Sequence, residues 1–274
     1  MAYEFPGAGA LDYYPCRYGK SKLLFRGPKR RLDAPYCVAL GGTETYGKFV
    51  ASPYPALLET MLGMPIVNLG YNNAGVDVFV NEPTVIEACA AAKLTVVQLV
   101  GAQNMSNRFY AVHARRNDRF LRASNLMKTL FQEVDFTEFH FTRHMLSELK
   151  LRTPEKFALI EAELKEAWIA RMKQLLEKIG RNTVLLWLAD YHPSGRREDS
   201  LGPDPLFLDE SMLARVRDLA AAVVRIDPSA EARNDGVAGM EFAPLDEPAA
   251  AELPGPRIHQ EIAAALAGTV RRFL

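Results

Sequence analysis

The stretch YCVALGGTETYG, residues 36–47, joins a short apolar run to a polar turn that begins with glycine. Four further runs rich in Val, Ile and Leu follow it: PIVNL (65–69), LTVVQLV (94–100), TVLLWLA (183–189) and AAVVRI (221–226). Segments with helical spacing separate or follow these runs, at PALLETML (55–62), TVIEACAAA (84–92), SMLARVRDLAA (211–221) and IHQEIAAALAGTVRRF (258–273). Strands that are apolar almost throughout are covered on both faces. The alternation therefore predicts a three-layer α/β/α fold around a parallel sheet of five strands.

We predict that the sheet has the flavodoxin-like order 2-1-3-4-5, which is common among doubly wound folds. Ligands of such sheets bind beyond the carboxyl ends of the strands, where the connections reverse direction. In this order, the reversal lies between strands one and three. The turns that meet there are GGTETYG (41–47) and GAQNMSN (101–107), and both are polar and begin with glycine.

The interval between the third and fourth strands, residues 105–181, is too long for a loop without structure of its own. We predict a helical insertion there. Its second half has a helical period, with Thr153 as a capping residue, Pro154 in the first turn and Gly180 as the stop. The apolar stripe of this helix comprises Phe157, Ile160, Leu164, Trp168, Met172, Leu175 and Ile179. Such a stripe most often packs in a core, and it also fits a lid or a dimer surface.

Residues 36–274 form one predicted α/β domain with the insertion, and an irregular arm over residues 1–35 precedes it. The arm contains a basic cluster, RGPKRRL (26–32), which we interpret as solvated surface, with anion binding or partner docking as alternatives. The tripeptide GKS (19–21) lacks the glycine that a phosphate loop has five residues before Gly19, because Tyr14 stands there. We therefore predict that the protein uses no cofactor.

Composition narrows the range of partners. The 274 residues include 33 basic and 33 acidic side chains, so no overall field attracts nucleic acid or an anionic membrane. Cys16, Cys37 and Cys89 are far apart and lack metal-binding spacing, which predicts neither disulfides nor a zinc site. The N-terminus lacks a signal-peptide pattern, and no run of about 18 apolar residues occurs. These features predict a soluble, cytoplasmic protein that binds a small molecule, and they are compatible with a homo-oligomer formed through the insertion.

The remaining strand ends contribute GYNNAG (70–75), ADYHPSG (189–195) and, before the last helix, LPGPRIHQ (253–260). Glycine, asparagine and aspartate are also common in such loops for turn and capping reasons alone. Their occurrence together on one predicted edge favours a functional site. Asp190 and His192 lie on this edge and are secondary candidates for the site.

The order of these loops resembles that of the SGNH, or GDSL-type, hydrolase superfamily of esterases and acyltransferases. LGGTETYG (40–47) aligns without gaps on the block that carries the family's nucleophile, which places Gly42 on its aspartate and Thr43 on its serine. VNLGYNNAG (67–75) resembles the second block, and GAQN (101–104) resembles the third. His259 stands where the family has its basic histidine.

The resemblance implies acyl transfer, in which a hydroxyl attacks a carbonyl while a histidine takes its proton. In this chain, Thr43 would be the nucleophile and His259 the base. The oxyanion and substrate-binding positions implied by the resemblance are Gly42, Gly70, Asn73 and either Gln103 or Asn104.

Three positions depart from the family pattern. Thr43 replaces the serine, Gly42 replaces the aspartate, and Pro256 replaces the acid three residues before the histidine. The threonine keeps a hydroxyl, but its extra methyl group crowds the approach of an ester carbonyl. An acid that orients His259 would have to come from elsewhere, and Asp246, Glu247 and Glu252 lie upstream.

The sequence is therefore compatible with three functions. The first is a divergent esterase or acyltransferase that acts on an ester or acyl group of a small polar or glycan-like substrate. The second is a catalytically altered SGNH-fold protein that binds a small polar ligand, or a protein partner, without hydrolysis, through Thr43, Asn73, Asn104 and His259. The third is an interaction protein in which the insertion and the basic arm carry the function.

Two histidine patterns remain. EFHFTRH (138–144) places His140 and His144 four residues apart on a predicted helix face, a spacing that permits metal binding. Because the pair lacks the H-E-x-x-H pattern and has an arginine between its members, we interpret it as surface or packing and predict no metal site. His113, within YAVHARRNDRF (110–120), is interpreted as part of a solvated helix face, with binding of an anionic group near the edge of the third strand as an alternative.

Overall fold

The computed structural model of the protein describes residues 10–192 and 201–274. Residues 1–9 of the arm and residues 193–195 of the ADYHPSG turn lie outside the described residues. The strands are β1 (Cys37–Gly41), β2 (Ile66–Gly70), β3 (Thr95–Gln98), β4 (Tyr110–His113), β5 (Arg116–Ala123), β6 (Thr183–Leu188) and β7 (Ala222–Ile226).

The helices before the fourth strand of the main sheet are α1 (Thr43–Tyr46), α2 (Tyr54–Leu62), α3 (Val76–Val80), α4 (Pro83–Ala91), α5 (Asn125–Leu130), α6 (Thr142–Arg152) and α7 (Pro154–Ile179). The helices after it are α8 (Glu210–Ala214), α9 (Ala230–Asn234), α10 (Glu247–Ala250) and α11 (Pro256–Arg271). Short 3₁₀ turns occur at Phe136–Glu138, Arg217–Leu219 and Pro244–Asp246.

The main sheet has five parallel strands in the order β2-β1-β3-β6-β7. Counted within the sheet, this is the predicted order 2-1-3-4-5, so the fold class is confirmed. Each of the five apolar runs forms one strand. Strand β1 lies between β2 and β3, and its residue Val38 faces Val67 on one side and Thr95 on the other. The connections therefore reverse direction at β1 and β3, as the sequence predicts.

Alternate residues of the strands point to opposite faces of the sheet and build two hydrophobic clusters. In β1, Val38 and Leu40 belong to the cluster that includes α3, α4 and α7, whereas Cys37 and Ala39 belong to the cluster that includes α2 and α11. These residues are almost fully buried. Burial on both faces explains why the runs are apolar throughout rather than alternating.

The segment between β3 and β6 contains a β-hairpin as well as helices. Strands β4 and β5 pair antiparallel, and α5, α6 and α7 follow them. The sequence YAVH (110–113) alternates buried and half-buried residues, which is a strand period. The interpretation of His113 as part of a helix face is therefore wrong, because the residue ends β4 and its Nδ1 accepts hydrogen bonds from the N–H groups of Arg115 and Arg116 in the hairpin turn.

Helix α7 extends over 26 residues and ends at Gly180, as predicted. Its whole apolar stripe is buried against neighbouring elements that include α3, α4 and α6. The stripe is therefore part of the core and is not available as a lid or a dimer surface. The predicted side-chain cap does not form, because the Thr153 hydroxyl donates back to the carbonyl of Leu149 at 3.4 Å.

The arm packs onto the domain and is not only solvated surface. Leu23 and Phe25 are 1% and 0% exposed. The guanidinium group of Arg26, in the basic cluster, is buried and donates to the carbonyls of Tyr46, Gly47 and Ala51, at 3.2, 2.5 and 2.8 Å. Arg26 thus satisfies carbonyl groups at the C-terminal end of α1, where a positive charge is favourable.

Two other sequence interpretations are tested by the arrangement of helices. His140 precedes the start of α6 at Thr142, so the prediction that His140 and His144 share a helix face is wrong. The ring of His144 instead lies edge-on to Phe139, with the ring centroids 5.1 Å apart. Among the described residues, no helix combines the length and the apolar character that a membrane crossing requires.

Candidate ligand cavity

A cavity of about 390 Å³ opens at the carboxyl ends of β1, β3 and β6. The turn after β1 contributes Gly42, Thr43 and Glu44 to its lining, and the end of β3 and the loop after it contribute Gln98, Leu99, Val100, Gly101, Gln103 and Asn104. This is the position at which doubly wound sheets bind ligands. The volume lies within the range of small-molecule sites, roughly 300–1,000 Å³.

Thr43 is the first residue of α1, and its side chain is turned toward the loop after β2. Its hydroxyl accepts a hydrogen bond from the Asn73 N–H at 2.8 Å and donates to Asn73 Oδ1 at 3.4 Å. Asn73 has a left-handed backbone, with φ of 54°, and its Nδ2 donates to Asp118 Oδ2 at 3.3 Å. Both residues line the cavity. The structure therefore brings together two of the predicted site residues.

The side chain of Gln98 ties the first turn of α1 to the end of β3. Its Oε1 accepts hydrogen bonds from the Gly42 N–H at 3.0 Å and from the Thr45 hydroxyl at 2.6 Å, while its Nε2 donates to Glu44 Oε2 at 2.8 Å. No side chain caps α1 in the ordinary way. The buried amide of Gln98 takes over that function and fixes the turn that carries Thr43.

Glu44 places a carboxyl group at the cavity wall. Besides its bond with Gln98, its Oε1 accepts a hydrogen bond from the Tyr191 hydroxyl at 3.3 Å. Burial raises the pKa of Glu44, the hydrogen bond from Gln98 opposes this effect, and the charge of Asp204 adds to it. A carboxyl group with a raised pKa in a cleft is typical of ligand-binding and catalytic sites.

The position of this carboxyl group also explains why position 42 is a glycine. A Cβ at position 42 would lie 2.8 Å from Glu44 Oε2, which Gln98 holds in place. A side chain at position 42 would therefore displace the carboxyl group. The family resemblance puts an aspartate at position 42, so in this chain a carboxyl group occupies the same neighbourhood but is carried by Glu44.

His259 lies away from the cavity, in the first turn of α11. Its Nδ1 accepts a hydrogen bond from the Tyr54 N–H at 3.1 Å, and its ring stacks on that of Tyr54 with the centroids 6.1 Å apart. Burial, with a smaller contribution from Arg26, lowers the pKa of His259 to about 3, so its imidazole is neutral at neutral pH. It does not line the cavity.

The structure therefore does not bring Thr43 and His259 together. The described hydrogen bonds of the Thr43 hydroxyl are with Asn73, and the described hydrogen bond of His259 is with Tyr54. The physical reason is the packing of α11 against α2, which buries the first turn of α11 in the second hydrophobic cluster. The histidine fills space there.

The two amide candidates after β3 differ in their bonding. The Nδ2 of Asn104 donates to the Asn73 carbonyl at 3.2 Å, and its Oδ1 accepts from the Thr142 hydroxyl at 2.7 Å, so this side chain braces two loops. Gln103 also lines the cavity, and its Oε1 is a buried atom that accepts no hydrogen bond from the described residues. Gly70 ends β2 and lies against Tyr46, so we assign it a packing function.

Asp190 and His192 form a pair next to the cavity. His192 Nδ1 lies 2.7 Å from Asp190 Oδ1, and His192 Nε2 lies 3.9 Å from Glu252 Oε2. The histidine itself is not among the lining residues, whereas its neighbours Tyr191 and Glu252 are. The two residues therefore lie close to each other, and neither lines the cavity.

The segment inserted between β3 and β6 supplies the opposite wall of the cavity. Asp118 of β5, Phe141, and the first residues of α6, Thr142 and Arg143, all line it. The Nη2 of Arg143 donates to both carboxylate oxygens of Asp204, at 2.8 and 3.0 Å. The insertion is therefore part of the site.

Several residues of the cavity lining were not predicted from the sequence. They are Glu44, Gln98, Asp118, Arg143, Tyr191 and Asp204. Gln98 carried a usable signal, because it is a polar residue within the otherwise apolar run LTVVQLV. For Asp118 and Arg143, no comparable signal exists, since charged residues are ordinary in a segment that reads as solvated.

Glu44→Gln is expected to raise the melting temperature at pH 7–8, and the difference from the wild type is expected to vanish below about pH 4. Because the pKa of Glu44 is raised in the folded state, the folded protein keeps a proton on this carboxyl group that the unfolded chain loses at about pH 4.3. The folded state thus binds more protons in that window, and stability falls as the pH rises. Gln removes this ionisation and can keep an acceptor for Gln98.

Thermal melts of both proteins between pH 4 and 8 measure this effect. Glu87→Gln, on the exposed side of α4, is the matched control and is expected to change little at any pH. A Glu44→Gln variant that loses the same stability at every pH would show that the carboxyl group acts through its hydrogen bonds rather than its charge.

Comparisons with known proteins give a family but no assigned activity. No curated protein matches the chain. Among solved structures, it is similar to a gut microbial diltiazem-metabolizing enzyme, with a TM-score of 0.37 and 10% sequence identity. That match covers 89% of this chain and 48% of the other, so this chain spans about half the length of that protein. At this TM-score, the similarity supports no functional assignment. All 274 residues match a single family profile, and the chain belongs to the family described as a domain of unknown function, DUF6473.

Proposed function

We propose that this chain is a catalytically altered SGNH-like protein that binds a small polar ligand in the cavity at the carboxyl edge of its sheet. The observation that carries the proposal is the combination of a polar cavity at the β1–β3 reversal with a Thr43 hydroxyl that is bonded to Asn73 and not to His259. The fold and the position of the site support binding. The bonding of the hydroxyl argues against family-type hydrolysis.

Hydrolysis by the family mechanism requires a base that takes the proton of the nucleophile. The Thr43 hydroxyl donates to the amide oxygen Oδ1 of Asn73, and an amide oxygen is too weak a base for this purpose. Burial lowers the pKa of His259 and leaves a neutral imidazole, but its Nδ1 is occupied by the Tyr54 N–H. Neither residue therefore activates Thr43 in this arrangement.

Binding, in contrast, needs only polar groups that are held in place and a wall that excludes water. Gln98 and Asn104, 6% and 7% exposed, hold the turns after β1, β2 and β3 against each other. Apolar residues such as Leu99 and Leu253 complete the wall. Rigid loops reduce the conformational entropy that the protein loses when a ligand binds.

The test of binding is thermal stabilisation by a panel of small polar compounds, because a ligand that binds only the folded state raises the melting temperature by mass action. Leu253→Trp, which enlarges a half-buried wall residue, is expected to abolish the stabilisation. The matched control, Leu245→Trp, changes a leucine that is 95% exposed and outside the cavity lining. Stabilisation that survives Leu253→Trp would mean that the ligand binds elsewhere.

A second candidate function, ester hydrolysis or acyl transfer, is favoured by one observation. Thr43 begins α1 at the position of the family nucleophile. Its hydroxyl oxygen accepts a hydrogen bond from the Asn73 N–H, so a backbone donor of the kind that forms an oxyanion hole lies next to it. This function predicts turnover of short-chain aryl esters that requires the hydroxyl of Thr43.

We expect no turnover of such esters above the buffer blank. The measurement compares the wild type with Thr43→Val, which removes the hydroxyl while keeping the branched shape, and with His259→Asn. Turnover that both substitutions abolish would establish the family mechanism and refute the binding proposal. Turnover that depends on Thr43 but survives His259→Asn would indicate another base, for which Glu44 is the candidate within the cavity.

A further inference from the structure

A chain of hydrogen bonds connects the first turn of α1 with the segment before α11. The side-chain amide of Gln98 has a fixed orientation, because its Oε1 accepts from the Gly42 N–H at 3.0 Å and from the Thr45 hydroxyl at 2.6 Å. Its Nε2 can only donate, and it donates to Glu44 Oε2 at 2.8 Å. This oxygen of Glu44 is therefore an acceptor. A proton on the carboxyl group has to reside on the other oxygen, Oε1.

The Tyr191 hydroxyl lies between Glu44 Oε1 and a backbone carbonyl of the cavity wall. Its oxygen is 3.3 Å from Glu44 Oε1 and 3.2 Å from the Glu252 carbonyl oxygen. The hydroxyl has one hydrogen, so it donates fully to only one of these two oxygens. The Glu252 carbonyl is always an acceptor, whereas Glu44 Oε1 donates when it carries a proton. The proton on Glu44 thus decides whether the carbonyl has a donor.

The two protonation states of Glu44 give different bonding. With a proton on Oε1, Glu44 donates to Tyr191 and Tyr191 donates to the Glu252 carbonyl, so both contacts are satisfied. Without the proton, the carboxylate attracts the tyrosine hydrogen, because hydrogen bonds to ionised acceptors are stronger. The carbonyl then loses this donor. Glu252 and Leu253 lie between α10 and α11 and line the cavity, so the change occurs in the cavity wall.

The surroundings of Glu44 favour its protonated form. Burial raises the pKa of this carboxyl group, the hydrogen bond from Gln98 opposes this effect, and the charge of Asp204 adds to it. Arg143 bonds to Asp204 and so weakens the contribution of that charge. The other titratable groups near the chain of hydrogen bonds are those of Tyr54, Asp118, Tyr191, His192 and Glu252. Burial raises the pKa of both tyrosines, so their hydroxyls stay neutral.

We propose that Glu44, Tyr191 and the Glu252 carbonyl form a proton-operated latch on the cavity wall. When Glu44 is protonated, Tyr191 holds the segment that contains Leu253 in place. When Glu44 loses the proton, the Tyr191 hydroxyl turns to the carboxylate, and the segment opens more often. This inference rests on the proposed function for its consequence, which is that a ligand in the cavity meets a firmer wall at low pH.

The first measurement locates the ionisation of Glu44. Carbon-13 NMR of protein labelled at the glutamate carboxyl groups follows each signal with pH, and Glu44→Gln identifies the signal of Glu44. This signal is expected to titrate at a higher pH than that of Glu87, on the exposed side of α4, which Glu87→Gln identifies. Titration of the two groups at the same pH would overturn the latch.

The second measurement determines whether the cavity wall follows that proton. The Leu253 N–H bonds to the Ala250 carbonyl at 3.0 Å and reports local opening of the segment. Its hydrogen exchange, corrected for the intrinsic effect of pH, is expected to become about fivefold faster on the alkaline side of the Glu44 titration. The Gly180 N–H, bonded to the Leu176 carbonyl at the end of α7, reports global opening and is expected to show no such change.

Two variants separate protonation from packing. In Glu44→Gln, the new amide can accept from Gln98 and donate to Tyr191, so the Leu253 N–H is expected to exchange slowly on both sides of the titration. Tyr191→Phe keeps the ring and removes the hydroxyl, so the faster exchange is expected on both sides. Circular dichroism and the exchange of the Gly180 N–H establish that each variant is folded.

Three results would contradict the latch. They are a corrected exchange rate of the Leu253 N–H that stays constant in the wild type, that rises equally in Glu44→Gln, or that Tyr191→Phe leaves unchanged. No ligand is present in these measurements, so their failure leaves the binding proposal to its own test with Leu253→Trp. If instead no polar compound stabilises the protein, the proposed function is wrong while the exchange result stands.

Discussion

Trp168→Ala is expected to lower the free energy of unfolding by about 3–5 kcal/mol, which is the usual cost of removing a buried aromatic side chain. Trp168 is 0% exposed in the middle of α7, and its Nε1 donates to the Val100 carbonyl at 2.8 Å. The substitution leaves a cavity and removes the donor of a carbonyl group just after β3. In a domain of this size, the melting temperature is expected to fall by roughly 6–20 °C.

Chemical denaturation of Trp168→Ala and Trp168→Phe separates the two contributions. Phenylalanine keeps most of the ring and loses the hydrogen bond, so it is expected to cost about 1–3 kcal/mol. Leu159→Ala is the control on the same helix, because Leu159 is 56% exposed and its truncation is expected to cost less than about 0.5 kcal/mol. Equal losses for Trp168→Ala and Leu159→Ala would contradict the packing described for α7.

The Val100 carbonyl also connects this prediction with the site. Val100 lines the cavity and lies in the loop that carries Gln103 and Asn104. Trp168→Phe is therefore expected to lower the stability of the fold. It is also expected to reduce the rise in melting temperature that a ligand of the cavity produces. A variant that melts earlier but keeps its ligand affinity would show that the loop is positioned by other contacts.

Arg26→Met is expected to have the second largest effect, a loss of about 3 kcal/mol, because it removes three hydrogen bonds to backbone carbonyls at roughly 1 kcal/mol each. These are the carbonyls of Tyr46, Gly47 and Ala51, which lie three, four and eight residues after Thr43. Methionine retains much of the buried volume, so the loss reports the hydrogen bonds more than a cavity.

Hydrogen exchange measures the local consequence. The N–H groups of Tyr46 and Gly47 bond to the carbonyls of Gly42 and Thr43 within α1, and they are expected to exchange faster in Arg26→Met than global stability alone explains. Arg31→Met is the matched control, because Arg31 belongs to the same basic cluster and its side chain is 84% exposed. If both variants exchange alike, the arm does not hold the turn that carries Thr43.

The prediction of the sheet succeeded because it depends on local composition. A strand buried on both faces must be apolar at every position, and five such runs occur in the chain. The helix at 154–179 was predictable for a similar reason, since its period, Pro154 and Gly180 are all local signals. SMLARVRDLAA was predicted as one helix but divides into α8 and a 3₁₀ turn at Arg217–Leu219.

The sequence predicted only part of the cavity lining, because a cavity depends on which distant segments meet. The loops after β1, β2 and β3 converge as expected, which brings Thr43, Asn73 and Asn104 to one place. The histidine was assigned by its order in the chain, and order does not reveal that α11 packs its first turn against α2. The cavity wall from β5 and α6 was not predicted, because long-range packing alone determines where the insertion lies.

By itself, the sequence determined the layers of this protein, the order of its sheet and the edge at which the polar turns meet, because hydrophobic periodicity and turn residues are local features of the chain. Only the tertiary structure decided the chemistry of that edge. In the folded protein, the Thr43 hydroxyl bonds with Asn73, and His259 is buried and bonds with the Tyr54 N–H. The carboxyl groups of Glu44, Asp118 and Glu252 line one cavity. Such contacts join residues that are far apart in the chain, and their geometry is fixed by how the two hydrophobic clusters pack against the sheet.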